Sequence, residues 1–244
     1  MIPKIRAIAR SDRDNLSNTV AQYVVKYIHG KRLQSGDKLP SEIQVSANLK
    51  ISRGVVREAF RALRTVGIIE VANGRSPHVG ALKNTAFSQL IRHALSTRQV
   101  SPEQVLDLRS SIEVRAAELA ATHRDSGHIR TLRLAVAGMR RTQRNPDRFV
   151  PHDIRFHETI GKATGNPLFA LLAGPLRECL GVSIRAGLES RTTQAQLSRV
   201  VDTHAAIVDA IEAQLATKAA DLMIVHFEEA MDALRGTSRR TVRR

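Results

Sequence analysis

Hydrophobic positions recur every four residues near the start of the chain, at Leu16, Val20, Val24 and Ile28. That step keeps one face of a helix apolar, so an amphipathic helix is predicted here, stopped by Gly30. Gly36-Asp37 reads as a turn. Pro40 precedes Ser41, whose hydroxyl can cap a new helix, with Gln44 at the reciprocal position of a capping box. This second helix should run to about Leu49. Ser52 is a further N-cap, opening a helix whose buried face is Val56, Ala59, Phe60 and Leu63 and which Gly67 ends. The period then changes. Ile68-Ile69-Glu70-Val71 reads as a strand, Ala72-Asn73-Gly74-Arg75 as a tight turn and His78-Val79 as a short return strand. Asn-Gly is a strong hairpin signal because both residues accept positive φ. Three helices and a β-hairpin wing make a winged helix-turn-helix over residues 12–80.

From Thr85 to Arg235 the pattern is helix-compatible almost throughout. It breaks at Ser101-Pro102, Asp125-Ser126-Gly127, Asn145-Pro146, Gly165-Asn166-Pro167 and around Gly187–Ser190. The breaks leave six or seven helices and no strand-like alternation, so residues 81–237 are expected to form an all-α bundle and residues 238–244 a basic tail. The expected fold class is mostly α.

Composition agrees with this division. Hydrophobic residues make up 42% of the 244, enough for a sizeable core, and aromatics only 3%. Ala, Leu, Val and Ile therefore carry the core, a composition that favours helices. No apolar run is long enough to span a membrane or serve as a secretory signal, and the lone Cys179 rules out an internal disulfide. A cytoplasmic protein with no membrane partner is expected. The formal net charge is +15, and residues 1–80 hold 14 Lys and Arg against 6 Asp and Glu. Per residue that first part is about twice as basic as the rest, which places the affinity for a polyanion there.

Arg53 and Arg57 lie one turn apart on the third helix, opposite Val56 and Phe60, and so point outward. Arginine at the N-terminal end of such a helix can pair with guanine O6 and N7, each good bidentate contact contributing about 1–3 kcal/mol of base discrimination. Ser52 and the helix N-terminus suit a phosphate. Gly54 permits close approach to the groove, and Arg75 would extend from the wing. The plainer alternative is a solvated basic face on an ordinary helical hairpin.

The run Gly36-Asp37-Lys38-Leu39-Pro40-Ser41-Glu42, then Ser52-Arg53-(x3)-Arg57-Glu58-Ala59 and Asn73-Gly74-Arg75-(x3)-Val79, resembles the N-terminal domain of GntR-family bacterial transcription regulators. The resemblance implies that Arg53 and Arg57 contact operator bases and phosphates, and that Asn73 and Gly74 sit at the wing tip. The implied partner is double-stranded DNA with a palindromic operator, bound by a homodimer. Two positions depart from the family pattern: Lys50 stands where a turn glycine is usual, and Ile43 replaces a common polar or basic residue.

A second constellation lies in the helical part. Asp153 and His157 share a helix face, His204 lies beside Ile207, Ala210 and Ile211, and His226 is embedded in Leu222-Met223-Ile224-Val225-His226-Phe227. Each alone reads most simply as an ion pair or a packed core histidine. Together, three imidazoles and a carboxylate suit a divalent ion such as Zn²⁺ or Ni²⁺ with an open position. Asp-(x3)-His on one helix, then one histidine in each of the last two, resembles the FCD domains of the FadR-like branch. That likeness implies a divalent metal at Asp153, His157, His204 and His226, with a small carboxylate effector over it. Arg109 matches a family position that faces the cavity and could pair with the effector. Asn166 reads as a helix cap, and His152 points about 100° away from Asp153. The combined reading is a DNA-binding regulator, most simply a repressor, and not an enzyme. Two alternatives stand beside it: a metal-dependent hydrolase fused to a DNA-binding module, and a dimeric DNA-binding protein indifferent to metabolites.

Overall fold

The structure is a computed structural model that describes residues 10–71, 76–189, 191 and 193–242. The chain divides into two compact units, Met1–Ala86 and Phe87–Arg244, a boundary six residues beyond the one expected at 80.

In the first unit, α1 (Arg10–Gly30), α2 (Glu42–Leu49) and α3 (Arg53–Thr65) precede the strands β1 (Ile69–Glu70) and β2 (His78–Val79). Val20, Val24 and Ile28 of α1 meet Val45 of α2 and Val56, Phe60 and Leu63 of α3 in one core. The capping box of α2 is complete: Gln44 N donates to Ser41 Oγ at 3.2 Å, and Ser41 N to Gln44 Oε1 at 2.8 Å. Helix α1 ends at Gly30, as its sequence suggested, and the chain turns at Arg32, φ 54°, where Leu33 N reaches back to Ile28 O at 3.0 Å and the Leu33 side chain joins the core. The hairpin is shorter than Ile68–Val71 suggested. Ile69 pairs with Val79 and Glu70 with His78, antiparallel. On its other side β2 is tied to the loop before α2, with Val79 N donating to Asp37 O at 2.8 Å and Leu39 N to Pro77 O at 2.8 Å. The wing-tip residues Asn73, Gly74 and Arg75 lie outside the described residues.

Lys50, between α2 and α3, adopts the left-handed conformation that the turn demands, with φ 54° and ψ 37°. A side chain there costs about 1 kcal/mol or more relative to glycine. Lys50→Gly is therefore expected to raise the stability of this unit by about 1 kcal/mol, read as a higher urea midpoint by far-UV circular dichroism.

The second unit holds eight helices among the described residues, one more than the upper expectation. They are α4 (Thr85–Ser96), α5 (Pro102–His123), α6 (Ser126–Thr142), α7 (Pro146–Ala163), α8 (Pro167–Cys179), α9 (Gly181–Glu189), α10 (Gln194–Glu212) and α11 (Ala216–Val242). Each expected break is present. Ser101, Asp125, Asn145 and Asn166 all cap the helix that follows. Two additional breaks fall at Leu180, between α8 and α9, and at Ala213–Leu215, between α10 and α11. Helix α11 continues to Val242, past the residue where a tail was expected, since nothing after Gly236 in that stretch interrupts a helix.

Helix α5 packs against α7, α8, α10 and α11 and so forms the axis of the bundle. Close crossings fix its neighbours. A Cβ on Gly161 of α7 would lie 2.9 Å from the Ala170 backbone of α8, and one on Gly138 of α6 would run into the ring of His152. The core is apolar except where seven charged or titratable side chains, Arg109, Glu113, Asp153, His157, Arg177, His204 and His226, are buried from five helices. Burying such groups is costly unless they pair or take a ligand.

Candidate metal centre and nucleic-acid interface

The three histidines that the sequence placed on separate helices come together. A ring nitrogen from each of His157, His204 and His226 lies within 4.8 Å of the other two, all three side chains being buried. Asp153 Oδ1 sits 3.2 Å from His204 Nε2 and 3.8 Å from His157 Nε2. Phe156 and Phe227 pack edge-on around the rings, closing the cluster from water.

What orients the rings decides which nitrogens face inward. His204 Nδ1 lies 2.7 Å from the carbonyl of Val200, one helical turn back, which requires the N–H on Nδ1 and leaves the Nε2 lone pair facing Asp153. His157 Nδ1 contacts Glu113 Oε2, leaving Nε2 without a hydrogen-bond partner, and His226 Nε2 is likewise unpartnered. Burial, then the neighbouring His157, depresses the pKa of His204 to about 3. Burial, then His204, pushes His226 well below the usual imidazole range. Both rings are therefore neutral at pH 7, the form that offers a lone pair to a cation. These three residues can hold a metal ion.

Glu113 and Arg177 belong to the site although the sequence reading did not single them out. Arg109 donates from Nε to Glu113 Oε1 at 2.9 Å, both side chains being almost wholly buried. Burial alone would push the Glu113 carboxyl up, but Arg109 and then His157 outweigh it and hold the pKa at about 2. Arg109, Glu113 and His157 thus form one chain of charge-assisted contacts ending on a cluster nitrogen. Arg177 of α8 lies against Asp153 Oδ2, on the side away from the histidines. Burial, then the charge of Arg109, works against its protonation, and the charge of Glu113 favours it. Asp153, His204 and His226 form the floor of a cavity of about 70 Å³ onto which Arg109, Arg177 and Arg191 also open, beneath apolar walls that include Leu106, Phe149 and Leu188.

Asn166 Oδ1 accepts from Leu168 N at 3.0 Å and is a cap, as its loop suggested. His152 packs on α6 at Gly138, away from the cluster.

On the first unit, Ser52, Arg53, Gly54 and Arg57 are all exposed along one side of α3, while Val55, Val56, Ala59 and Phe60 are buried. Ser52 occupies the N-cap position, yet its hydroxyl makes no capping hydrogen bond and remains available. A Cβ on Gly54 would meet nothing within 4 Å.

A winged helix-turn-helix with an arginine-bearing recognition helix, joined to a helical unit with a buried ligand cavity, defines a ligand-responsive DNA-binding regulator. Comparison with known proteins gives the same answer: residues 16–79 match the gntR family of bacterial regulatory proteins and residues 104–229 match the FCD domain. The chain belongs to the gntR family of transcription regulators, in the group that carries an FCD domain. Among its relatives is the HTH-type transcriptional regulator LutR of Bacillus subtilis (strain 168), 27% identical over 86% of this chain and 96% of that protein. The Glc operon transcriptional activator of Escherichia coli (strain K12) is 27% identical over 83% of this chain and 82% of its own. The solved structure of Streptococcus agalactiae GntR shares the fold, with a TM-score of 0.66 and 22% identity, over 88% of this chain and 99% of that one. No helix among the described residues is long and apolar enough to cross a membrane.

Proposed function

We propose that the chain is a homodimeric, cytoplasmic regulator whose grip on a palindromic operator is set by a small carboxylate bound over a divalent ion. The ion, Zn²⁺ or Ni²⁺, is held by Asp153, His157, His204 and His226. A single contact carries this reading. Val200 takes the only proton of neutral His204, so a lone pair on Nε2 faces a carboxylate oxygen at 3.2 Å. Two acceptors that close repel unless a cation lies between them, and the other two imidazoles placed around the same point suit a divalent ion there. Ligand atoms on one tetrahedral zinc are about 3.3 Å apart, which the observed spacing matches. A bound ion with an open position accepts a carboxylate oxygen, and Arg109 would pair with that carboxylate at the cavity floor.

The site supports a sensor rather than a catalyst. Among the described residues around it, Glu113, Asp153 and Glu229 are each held by an arginine, leaving none as a general base. In the first unit, Arg53 and Arg57 would read base edges, with Asn73, Gly74 and Arg75 supporting them from the wing. The effector must bind one arrangement of the dimer better than the other, since only that difference shifts operator occupancy.

The test starts from operator duplex recovered by selection, titrated at fixed salt with metal-loaded protein. Wild type should respond to small carboxylates, and His204→Ala should bind the same duplex without responding. An unaltered response in His204→Ala would refute the metal-centred sensor. The relatives carry both signs of regulation, and the titration reads the sign directly.

Gly54 gives a second check. Alanine there fits sterically and should stabilise α3 by about 0.5–1 kcal/mol. The added methyl would stand between the helix and the groove, weakening operator binding by about tenfold, ~1.4 kcal/mol. A more stable protein that binds less well is expected from paired melting and gel-shift measurements.

A further inference from the structure

We propose, resting on the metal-and-carboxylate reading above, that the effector is a short dicarboxylate and that Arg191 receives its second carboxylate. The charge inventory of the cavity leads there. Arg109 is matched by Glu113 and Arg177 by Asp153. Arg191 also lines the cavity, from the segment between α9 and α10, and is only partly exposed. Its Nη1 donates to the Gly187 carbonyl at 2.6 Å, an uncharged partner. The carboxylate that shares its wall, Glu229, is bonded to Arg199 at 2.8 Å and to Thr203. Glu229 attracts Arg191 only from beyond salt-bridge distance, and among the described residues no carboxylate oxygen lies within 4.0 Å of it.

A divalent ion adds two positive charges to this enclosure and draws on Asp153, the anion that Arg177 lies against. One carboxylate cannot neutralise what results, and an uncompensated charge in an apolar cavity is strongly disfavoured. With Arg191 and the ion unmatched the enclosure carries +3, so one carboxylate leaves +2 and two leave +1, the second taking up the charge of Arg191. Buried polar atoms wait for them, since Arg109 Nη1 and Arg177 Nε line the cavity without hydrogen-bond partners.

Size sets the length of the ligand. At roughly 10–15 Å³ per water-sized occupant, about 70 Å³ admits roughly five to seven first-row atoms. A three-carbon diacid, with seven non-hydrogen atoms, meets that limit and a four-carbon one, with eight, lies at its edge, while a long-chain or sugar acid exceeds it. The apolar walls of Leu106, Phe149 and Leu188 enclose the short carbon chain and exclude the water that would screen the charges.

The test uses full-length, Zn²⁺-loaded protein and calorimetric titration with acetate and lactate against malonate and succinate at constant ionic strength. The diacids should bind at least about tenfold more tightly than the monoacids, because the second carboxylate adds charge-assisted hydrogen bonds. Arg191→Gln should remove about that factor for malonate and leave acetate within about twofold, with Arg191→Lys in between. Monoacids binding as well as diacids, or Arg191→Gln weakening both classes alike, would overturn the proposal and leave the metal-centred sensor standing. Failure of all four acids to bind the zinc-loaded protein would overturn both. The wild-type series decides the ligand class even if Arg191→Gln proves unstable by circular dichroism.

Discussion

Glu113→Ala is expected to destabilise the helical unit by about 3–5 kcal/mol, the usual consequence of leaving a buried charge without its partner. The Arg109 guanidinium, wholly buried, would lose the only carboxylate paired with it among the described residues, and His157 would lose the group that turns its Nε2 toward the cluster. The melting curve should be followed by far-UV circular dichroism, since the chain contains no tryptophan. For a unit of this size the shift amounts to about 6–20 °C. Arg109→Met with Glu113→Leu separates the causes. Removing both charges together should recover much of the stability, because two apolar side chains replace the pair at little net cost. A double variant as unstable as Glu113→Ala would show that the pair packs in a way aliphatic chains do not reproduce.

Stripping the divalent ion is the other large effect. A ligand present at about a thousandfold its Kd stabilises the form that binds it by about 4 kcal/mol. Chelation should thus lower the midpoint of the helical unit by about 8–16 °C. Re-addition of Zn²⁺ or Ni²⁺ should restore it. The His204→Ala/His226→Ala double variant should melt at one temperature with or without chelator. Elemental analysis of wild type should show about one ion per chain, absent from the double variant. Identical melting of wild type before and after chelation would reduce the histidines to packing.

The recognition half of the molecule was legible because each of its signals is local. Ser41 and Gln44 cap within four residues, and Arg53 and Arg57 fall opposite an apolar stripe on one helix. The meeting of the three histidines was legible for another reason: His157, His204 and His226, like Asp153 beside them, each interrupt an apolar face with a polar group that can ligate. The same signal was present for the two residues the sequence reading passed over. Glu113 falls in phase with Leu106, Arg109, Ala116 and Ala120, and Arg177 with Ala173, Leu176 and Leu180. A charge on the buried side of a helix announces a partner, but not which helix supplies it. Arg177 meets Asp153 only because α7 and α8 cross at Gly161, and no spacing within α8 records that crossing. The ends of elements were the least legible. Arg32 and Lys50 hold left-handed turns that glycine would occupy more easily, and Leu180 ends α8 without a proline.

The bond from His204 to the Val200 carbonyl lies within a single helix, so it forms when α10 forms and needs no ion. Glu113 fixes His157 in the same way from a neighbouring helix. Two of the three rings are therefore turned inward as the helices fold and pack, and an ion bound there would have only the Asp153–His204 contact left to complete. Acquisition of the proposed ion would then be a late and exchangeable event, decided by whichever competent cation is abundant when the chain is made. Protein prepared from metal-poor and metal-rich cultures should differ in occupancy while sharing one fold, and so differ in how strongly it answers its effector.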